Sequence, residues 1–259
     1  MVKNIAKHRL QLGEPAIGTW VTLADTVGIE ALGDVGFDWL VIDREHTALS
    51  FRDITLMCQA VARYNLTTMA RLSCIAEGEF KQVLSAGVGG LVIPDVRTRM
   101  QVENIVEWSR FPPIGRRGVG GSRTAWTAGF NMTDYINQAN SELLVVVQIE
   151  SVEALASIDG ILSVEGLDAC YVGLDDLAVS MGVSLDKRDG SREFEQALDL
   201  ILTAAKRNGI TAGTHTKTPD DLRKRITEGW QMVGISSDLN FMRDNAMDVI
   251  GRVRASLSS

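Results

Sequence analysis

The chain has 259 residues, 45% hydrophobic and 23% charged, which suits one α/β barrel or two smaller domains with a large core. A formal net charge of -7 argues against a nucleic-acid surface, whose footprint is basic. The basic N-terminus lacks a signal peptide's apolar stretch, and no apolar run reaches the roughly 20 residues that cross a bilayer. Cys58, Cys74 and Cys170 show no metal-ligand spacing and read as reduced thiols, so the expectation is a soluble cytoplasmic protein.

In chain order, the first strand is predicted over 16–22 and contains Trp20, read as a packing wall. A second, over 39–43, stops abruptly in Asp43, Glu45 and His46. A helix over 53–64 leads to strand 67–72, which delivers Arg71. Helix 76–86, strand 90–96 and helix 99–110 follow. The longest connection, 111–140, is Gly/Arg-rich and poorly periodic. Coming after the fourth strand, it is expected over the C-terminal face of a barrel, with Gly118-Val-Gly-Gly-Ser122 as a flexible lid. Strand 143–149 is apolar on both faces, as a parallel strand covered by helices should be, and it delivers Gln148 and Glu150. Helix 152–162 precedes strand 169–173, beyond which stand Asp175 and Asp176. Helix 192–206, strand 210–214 (followed by His215 and Lys217), helix 218–228 and strand 231–236 complete the series.

Gly36, Gly87, Gly166, Gly209 and Gly229 fall where helices hand over to strands, as left-handed C-caps do. About eight strand-then-helix units with no linker predict a single (β/α)₈ barrel domain over 1–259; a doubly wound sheet is the alternative. Barrel active sites form at the C-terminal ends of the strands. Here four strand ends carry charged or amide groups that are expensive to place there without a use.

Glu150 and Asp176, on adjacent strands, suit a hard divalent cation such as Mg²⁺, Mn²⁺ or Co²⁺. Arg71 offers forked donors for an oxyanion or carboxylate. His46 is a base near neutral pH, with Asp43 or Glu45 to orient it. Together these describe metal-assisted proton transfer beside a carbonyl. Singly, each has a plainer reading: Asp176 as an N-cap, Glu150 as a helix start, Arg71 as an ion-pair partner, His46 as a structural histidine. Lys217 as a Schiff-base amine is a distant alternative.

The stretches Gly36-Phe-Asp-Trp-Leu-Val-Ile-Asp-Arg-Glu-His46, Ala70-Arg71, Leu91-Val-Ile-Pro94, Phe111-Pro-Pro-Ile-Gly-Arg-Arg-Gly-Val-Gly120, Val147-Gln-Ile-Glu150 and Val172-Gly-Leu-Asp-Asp-Leu177 resemble the metal-dependent pyruvate aldolases of the HpcH/HpaI family. That resemblance implies a barrel that exchanges its C-terminal helix with a neighbour in a homo-oligomer, a trimer or a hexamer. It also implies Glu150 and Asp176 as metal ligands and His46 as the base. Arg71 would be the enolate's partner, with Gln148 and the backbone at Leu174 and Asp175 holding pyruvate. The reaction implied is reversible aldol cleavage of a 4-hydroxy-2-oxoacid to pyruvate and an aldehyde. Two departures stand out. Ser85 replaces an acid that supports the histidine in the family. Leu174-Asp175 replaces a proline followed by a small or uncharged residue, setting an extra carboxylate beside the substrate.

An oxaloacetate decarboxylase or related lyase would use the same site, and a lapsed enzyme that only binds small acids would keep it without turnover. Acceptor choice is assigned to the 111–140 connection together with neighbouring-subunit contacts, and Arg116, Arg117 and Arg123 either grip a distal carboxylate or sugar acid or are solvated.

Overall fold

The computed structural model describes residues 3–120, 122–127 and 129–257. Eight strands pair in parallel and in chain order: β1 (Ala16–Val21), β2 (Trp39–Asp43), β3 (Thr67–Arg71), β4 (Gly90–Ile93), β5 (Leu144–Ile149), β6 (Ala169–Val172), β7 (Thr211–Thr216) and β8 (Met232–Ser237). Because β8 returns to pair with β1, the sheet closes, and with helices between the strands this is a (β/α)₈ barrel.

Every expected strand is present, displaced by three residues or fewer at either end. β4 ends early, at Ile93, because Pro94 has no N–H to continue the ladder. The stretch expected as one helix over 152–162 divides at Ser157 into Val152–Ala156 and Ile158–Leu162.

Alternation along each strand sorts the core into two regions. Leu40 and Ile42 face the surrounding helices, while Trp39 and Val41 face the barrel interior with Met69, Val92, Val146 and Tyr171. Each fully buried aliphatic side chain contributes about 1.5–3 kcal/mol. Trp39 fits inside because β1 carries glycine opposite it: a Cβ at Gly18 would overlap the indole. Its Nε1–H donates to the Ala16 carbonyl at 3.1 Å.

The helix Ile5–Gln11 plugs the N-terminal face. Buried Lys7 pairs with Asp168 at 2.8 Å and donates to the Leu143 carbonyl, and Arg110 donates to Asp168 at 2.7 Å. Burial lowers the pKa of Lys7, the Asp168 charge opposing it.

The 111–140 connection corrects one expectation. It follows the helix Arg99–Ser109 rather than β4 itself, so it emerges at the N-terminal face, away from the mouth. Part of it is helical, over Ser122–Thr127 and at the start of Met132–Glu142. Phe111 and Tyr135 meet edge to face beneath the barrel, and Asn140 bonds the Phe111 backbone in both directions. The guanidinium of Arg117 lies over Phe111, Arg116 pairs with Glu77 and Glu107, and Arg123 donates to the Ala86 carbonyl. None of the three lines the mouth cavity. The Gly118–Ser122 stretch, expected as a lid, includes Gly121, which lies outside the described residues, and its described residues do not line the mouth cavity. Ser85 ends its helix at the same face, donating to the Lys81 carbonyl, far from His46 in the same chain.

Candidate active site

The strand register places Asp43, last in β2, directly beside Arg71, last in β3. Both are buried, and they form a two-pronged ion pair, Arg71 Nε to Asp43 Oδ1 at 2.9 Å and Nη2 to Oδ2 at 2.7 Å. Burial alone would raise the Asp43 pKa, but the bonds and charge of Arg71 outweigh it and hold the carboxyl below its ordinary range. The other face of the guanidinium lies 4.5 Å from the Trp20 ring centre, so Trp20 is a wall for this cation.

Asp43 also accepts the Glu45 backbone N–H at 3.0 Å and that of His46 at 3.4 Å. It therefore fixes the turn that carries His46 and makes no bond to the ring, unlike the orienting role expected of it. Glu45 is the carboxylate near the imidazole, its Oε2 lying 3.7 Å from His46 Nε2 and 3.1 Å from Arg71 Nη1. The His46 side chain is 60% exposed at the rim.

Across the mouth, Glu150 follows β5 and is buried. Its Oε1 accepts the Asp95 N–H at 2.5 Å and its Oε2 accepts Gln148 Nε2 at 2.8 Å. Asp95 takes a left-handed backbone (φ 54) to offer that N–H, a conformation costing about 1 kcal/mol or more outside glycine. Gly173 is equally specific, since a Cβ there would collide with the Glu150 side chain. Burial pushes Glu150 up to about 7, with the Glu45 and Asp176 charges adding to it. Asp176, in the first turn of the helix Leu174–Ser180, has no hydrogen-bond or ion-pair partner among the described residues. The Gln148 Oε1 is buried without a partner.

The residues here fit a hard divalent cation. Glu150 and Asp176 are hard oxygen ligands whose mutual repulsion a divalent ion would relieve, and the Gln148 carbonyl is an open oxygen beside them. No group of three or more His, Cys, Asp or Glu converges among the described residues, so water and substrate oxygens would complete the shell.

A cavity of about 640 Å³ opens above, lined by Asp43, His46, Arg71, Gln148 and Leu174–Asp176 among others. The four strand ends singled out in the sequence thus meet in one mouth. Sequence reasoning missed three contributors. Asp95 acts through its backbone, which no side-chain pattern reveals. Tyr171, in β6, packs edge-on to Trp20 with ring centres 5.9 Å apart. Buried Arg188 binds the Asp175 carboxylate, so the extra charge beside the substrate site is neutralised from an irregular segment with no periodicity.

Over residues 16–245 the sequence matches the family model described as HpcH/HpaI aldolase/citrate lyase. The chain belongs to the HpcH/HpaI aldolase/citrate lyase family. It is accordingly a carbon–carbon lyase, and the chemistry common to the family is metal-dependent and of aldol type. Among HpcH/HpaI relatives, a 4-hydroxy-2-oxo-heptane-1,7-dioate aldolase from Salmonella dublin is 33% identical over 98% of this chain and 96% of its own. An HpcH/HpaI aldolase/citrate lyase family protein from Burkholderia cenocepacia J2315 superposes with a TM-score of 0.90 at 31% identity, covering 97% of this chain and all of that one. The HpcH/HpaI aldolase from Desulfitobacterium hafniense DCB-2 gives the same TM-score at 25% identity, over 96% of each chain.

Proposed function

We propose that the protein cleaves a 4-hydroxy-2-oxoacid reversibly to pyruvate and an aldehyde through the pyruvate enolate. One observation carries this reading: the under-compensated carboxylates Glu150 and Asp176 share a mouth with a braced guanidinium, Arg71, and an accessible imidazole, His46.

Glu150 and Asp176 would hold a divalent cation, which polarises the 2-oxo group and makes charge on its oxygen less costly. Gln148 and the first-turn backbone N–H groups of Leu174 and Asp175, which have no partners within the helix, would orient the carboxylate and carbonyl of the substrate. In the cleavage direction His46 accepts the C4 hydroxyl proton. The C3–C4 bond breaks, its electron pair becomes the C2–C3 π bond of the enolate as the aldehyde leaves, and the proton taken up by His46 is then returned to C3. Arg71 keeps N–H donors free after binding Asp43, and these stabilise the enolate oxygen. Asp43 contributes by locking both Arg71 and the His46 turn.

The reading extends to assembly. The C-terminal helix Asp238–Leu257 has no buried residue and exposes Phe241, Met242, Ile250 and Val253. A helix that leaves these apolar side chains exposed supports its exchange with a neighbour in a homo-oligomer.

The test is pyruvate release from 4-hydroxy-2-oxoacids, followed with lactate dehydrogenase. Wild type with Mg²⁺ or Mn²⁺ should release pyruvate, while chelated wild type and Asp176→Ala should not. Release undiminished in chelator would refute the assignment.

A further inference from the structure

The His46 ring has little to hold it in place. Its side chain is 60% exposed, its ionic neighbour Glu45 stands off at 3.7 Å, and the ring has no hydrogen bond among the described residues. Its position therefore depends on the backbone of the β2 exit, over residues 43–51. Asp43 braces that backbone from the side that faces the mouth. The next residue, Arg44, turns away from the cavity, as successive side chains of an extended segment do, and braces the exit from behind.

Arg44 uses its whole guanidinium for this. Nε and Nη2 donate to the two carboxylate oxygens of Glu79 at 2.7 and 3.0 Å, and Nη1 donates to the Leu49 carbonyl at 3.0 Å. The guanidinium also lies 3.9 Å from the Phe51 ring centre. One side chain thus closes the loop that carries His46 and ties it to the next helix. Glu79 stands in the first turn of the helix Glu77–Ser85 and is buried. Its Oε1 also accepts the Ser73 N–H at 3.2 Å and the Ser73 hydroxyl at 3.0 Å, two residues beyond Arg71. Burial works to raise the Glu79 pKa, but the bonds from Arg44 and Ser73 outweigh it and keep the carboxylate charged. The Arg44 N–H donates to the Arg71 carbonyl at 3.1 Å, so the exits of β2 and β3 are joined at two levels. A buried ion pair contributes little net stability for its desolvation cost. What this one does achieve is a fixed separation between two strand exits, one carrying His46 and the other Arg71.

We infer that Arg44 and Glu79 are positioning residues for proton transfer: their pair fixes the His46 ring relative to Arg71, and so relative to the enolate that Arg71 stabilises. The inference rests on the aldolase reading above. Neither residue touches substrate, and the groups that would hold pyruvate, Gln148 and the first-turn N–H groups of Leu174 and Asp175, belong to β5 and the helix after β6. Loss of the pair should therefore slow turnover without weakening pyruvate binding.

The experiment is a double-variant cycle on metal-dependent deuterium exchange into the pyruvate methyl group, in wild type, Glu79→Gln, His46→Gln and the two combined. Glu79→Gln keeps the shape of the side chain and removes its charge. A misplacement on the order of 1 Å costs about 100-fold, so Glu79→Gln should lower kcat by about 10- to 100-fold and leave KM for pyruvate within about twofold. With the ring already gone, in His46→Gln, the same substitution should change the residual rate by less than about twofold. Arg44→Met should match Glu79→Gln, and Arg44→Lys, which can keep one bond of the pair, should recover part of the lost rate. A loss that persists in full without the ring, or that falls on KM, overturns the positioning role, as does a Glu79→Gln rate equal to wild type. Absent exchange in metal-loaded wild type overturns the aldolase reading and the positioning role with it, whereas exchange in wild type with an additive cycle overturns the positioning role alone.

Discussion

Replacing Arg71 with methionine isolates the electrostatic frame of the mouth. The side chain keeps much of its length, but Asp43, only 3% exposed, loses both prongs of its ion pair, and Glu45 loses its 3.1 Å partner. Removing one member of a buried pair leaves the other charge uncompensated and costs about 3–5 kcal/mol. At about 2–4 °C per kcal/mol for a domain near this size, the melting temperature should fall by about 6–20 °C at pH 7. The sign of the pH dependence is fixed. In wild type the Asp43 pKa is depressed, so its contribution is present above the ordinary 3.8 and is lost as pH falls through the lower folded value. In the variant Asp43 is buried without its cation and takes up its proton at higher pH. The difference between the proteins should therefore be widest at neutral pH and close as pH drops toward 4 and below. Thermal unfolding by circular dichroism between pH 4 and 8 measures it. A constant difference across that range would refute the charge argument and assign the loss to the stacking on Trp20, which no titration of Asp43 alters.

Three further outcomes follow from the site. Glu150, raised to about 7, must give up its proton to bind a cation, so Mn²⁺ affinity should rise about tenfold per pH unit up to 7 and level off above it. Calorimetric affinity that does not change between pH 5.5 and 7 would remove Glu150 from the ligand set. His46→Gln should slow turnover by about 10²–10⁴ with an unchanged melting temperature, because the ring is exposed; a matching loss of stability would make it a structural residue. Arg188→Gln should raise the KM for pyruvate about tenfold, or about 1.4 kcal/mol, by freeing the Asp175 charge, and adding Asp175→Asn should restore it. A double variant no better than the single one would mean that Arg188 acts through its loop.

The barrel was legible because parallel strands covered on both faces read as short, continuous apolar runs. Four of those runs stop in Asp43, Arg71, Gln148 with Glu150, and Asp175 with Asp176, and closing the barrel in chain order brings such ends to one face. Partners were less legible than positions. Spacing puts Asp43 next to His46, but only the register beside Arg71 shows that the guanidinium occupies its carboxylate. The 111–140 connection was recognised as long, but length does not say which face a segment occupies; the helix Arg99–Ser109 carries the chain back before it begins. Arg188 stands in a segment with no periodicity, so its pairing with Asp175 is a tertiary fact with no local signal.

The most direct measurement follows the pyruvate methyl signal by proton NMR in deuterated buffer, with protein plus Mn²⁺ at a substoichiometric level or Mg²⁺ in excess, against a chelated control. The account predicts metal-dependent loss of that signal without any aldehyde, weakened by His46→Gln. A methyl signal that persists with metal-loaded protein would contradict the claim that this mouth forms the pyruvate enolate.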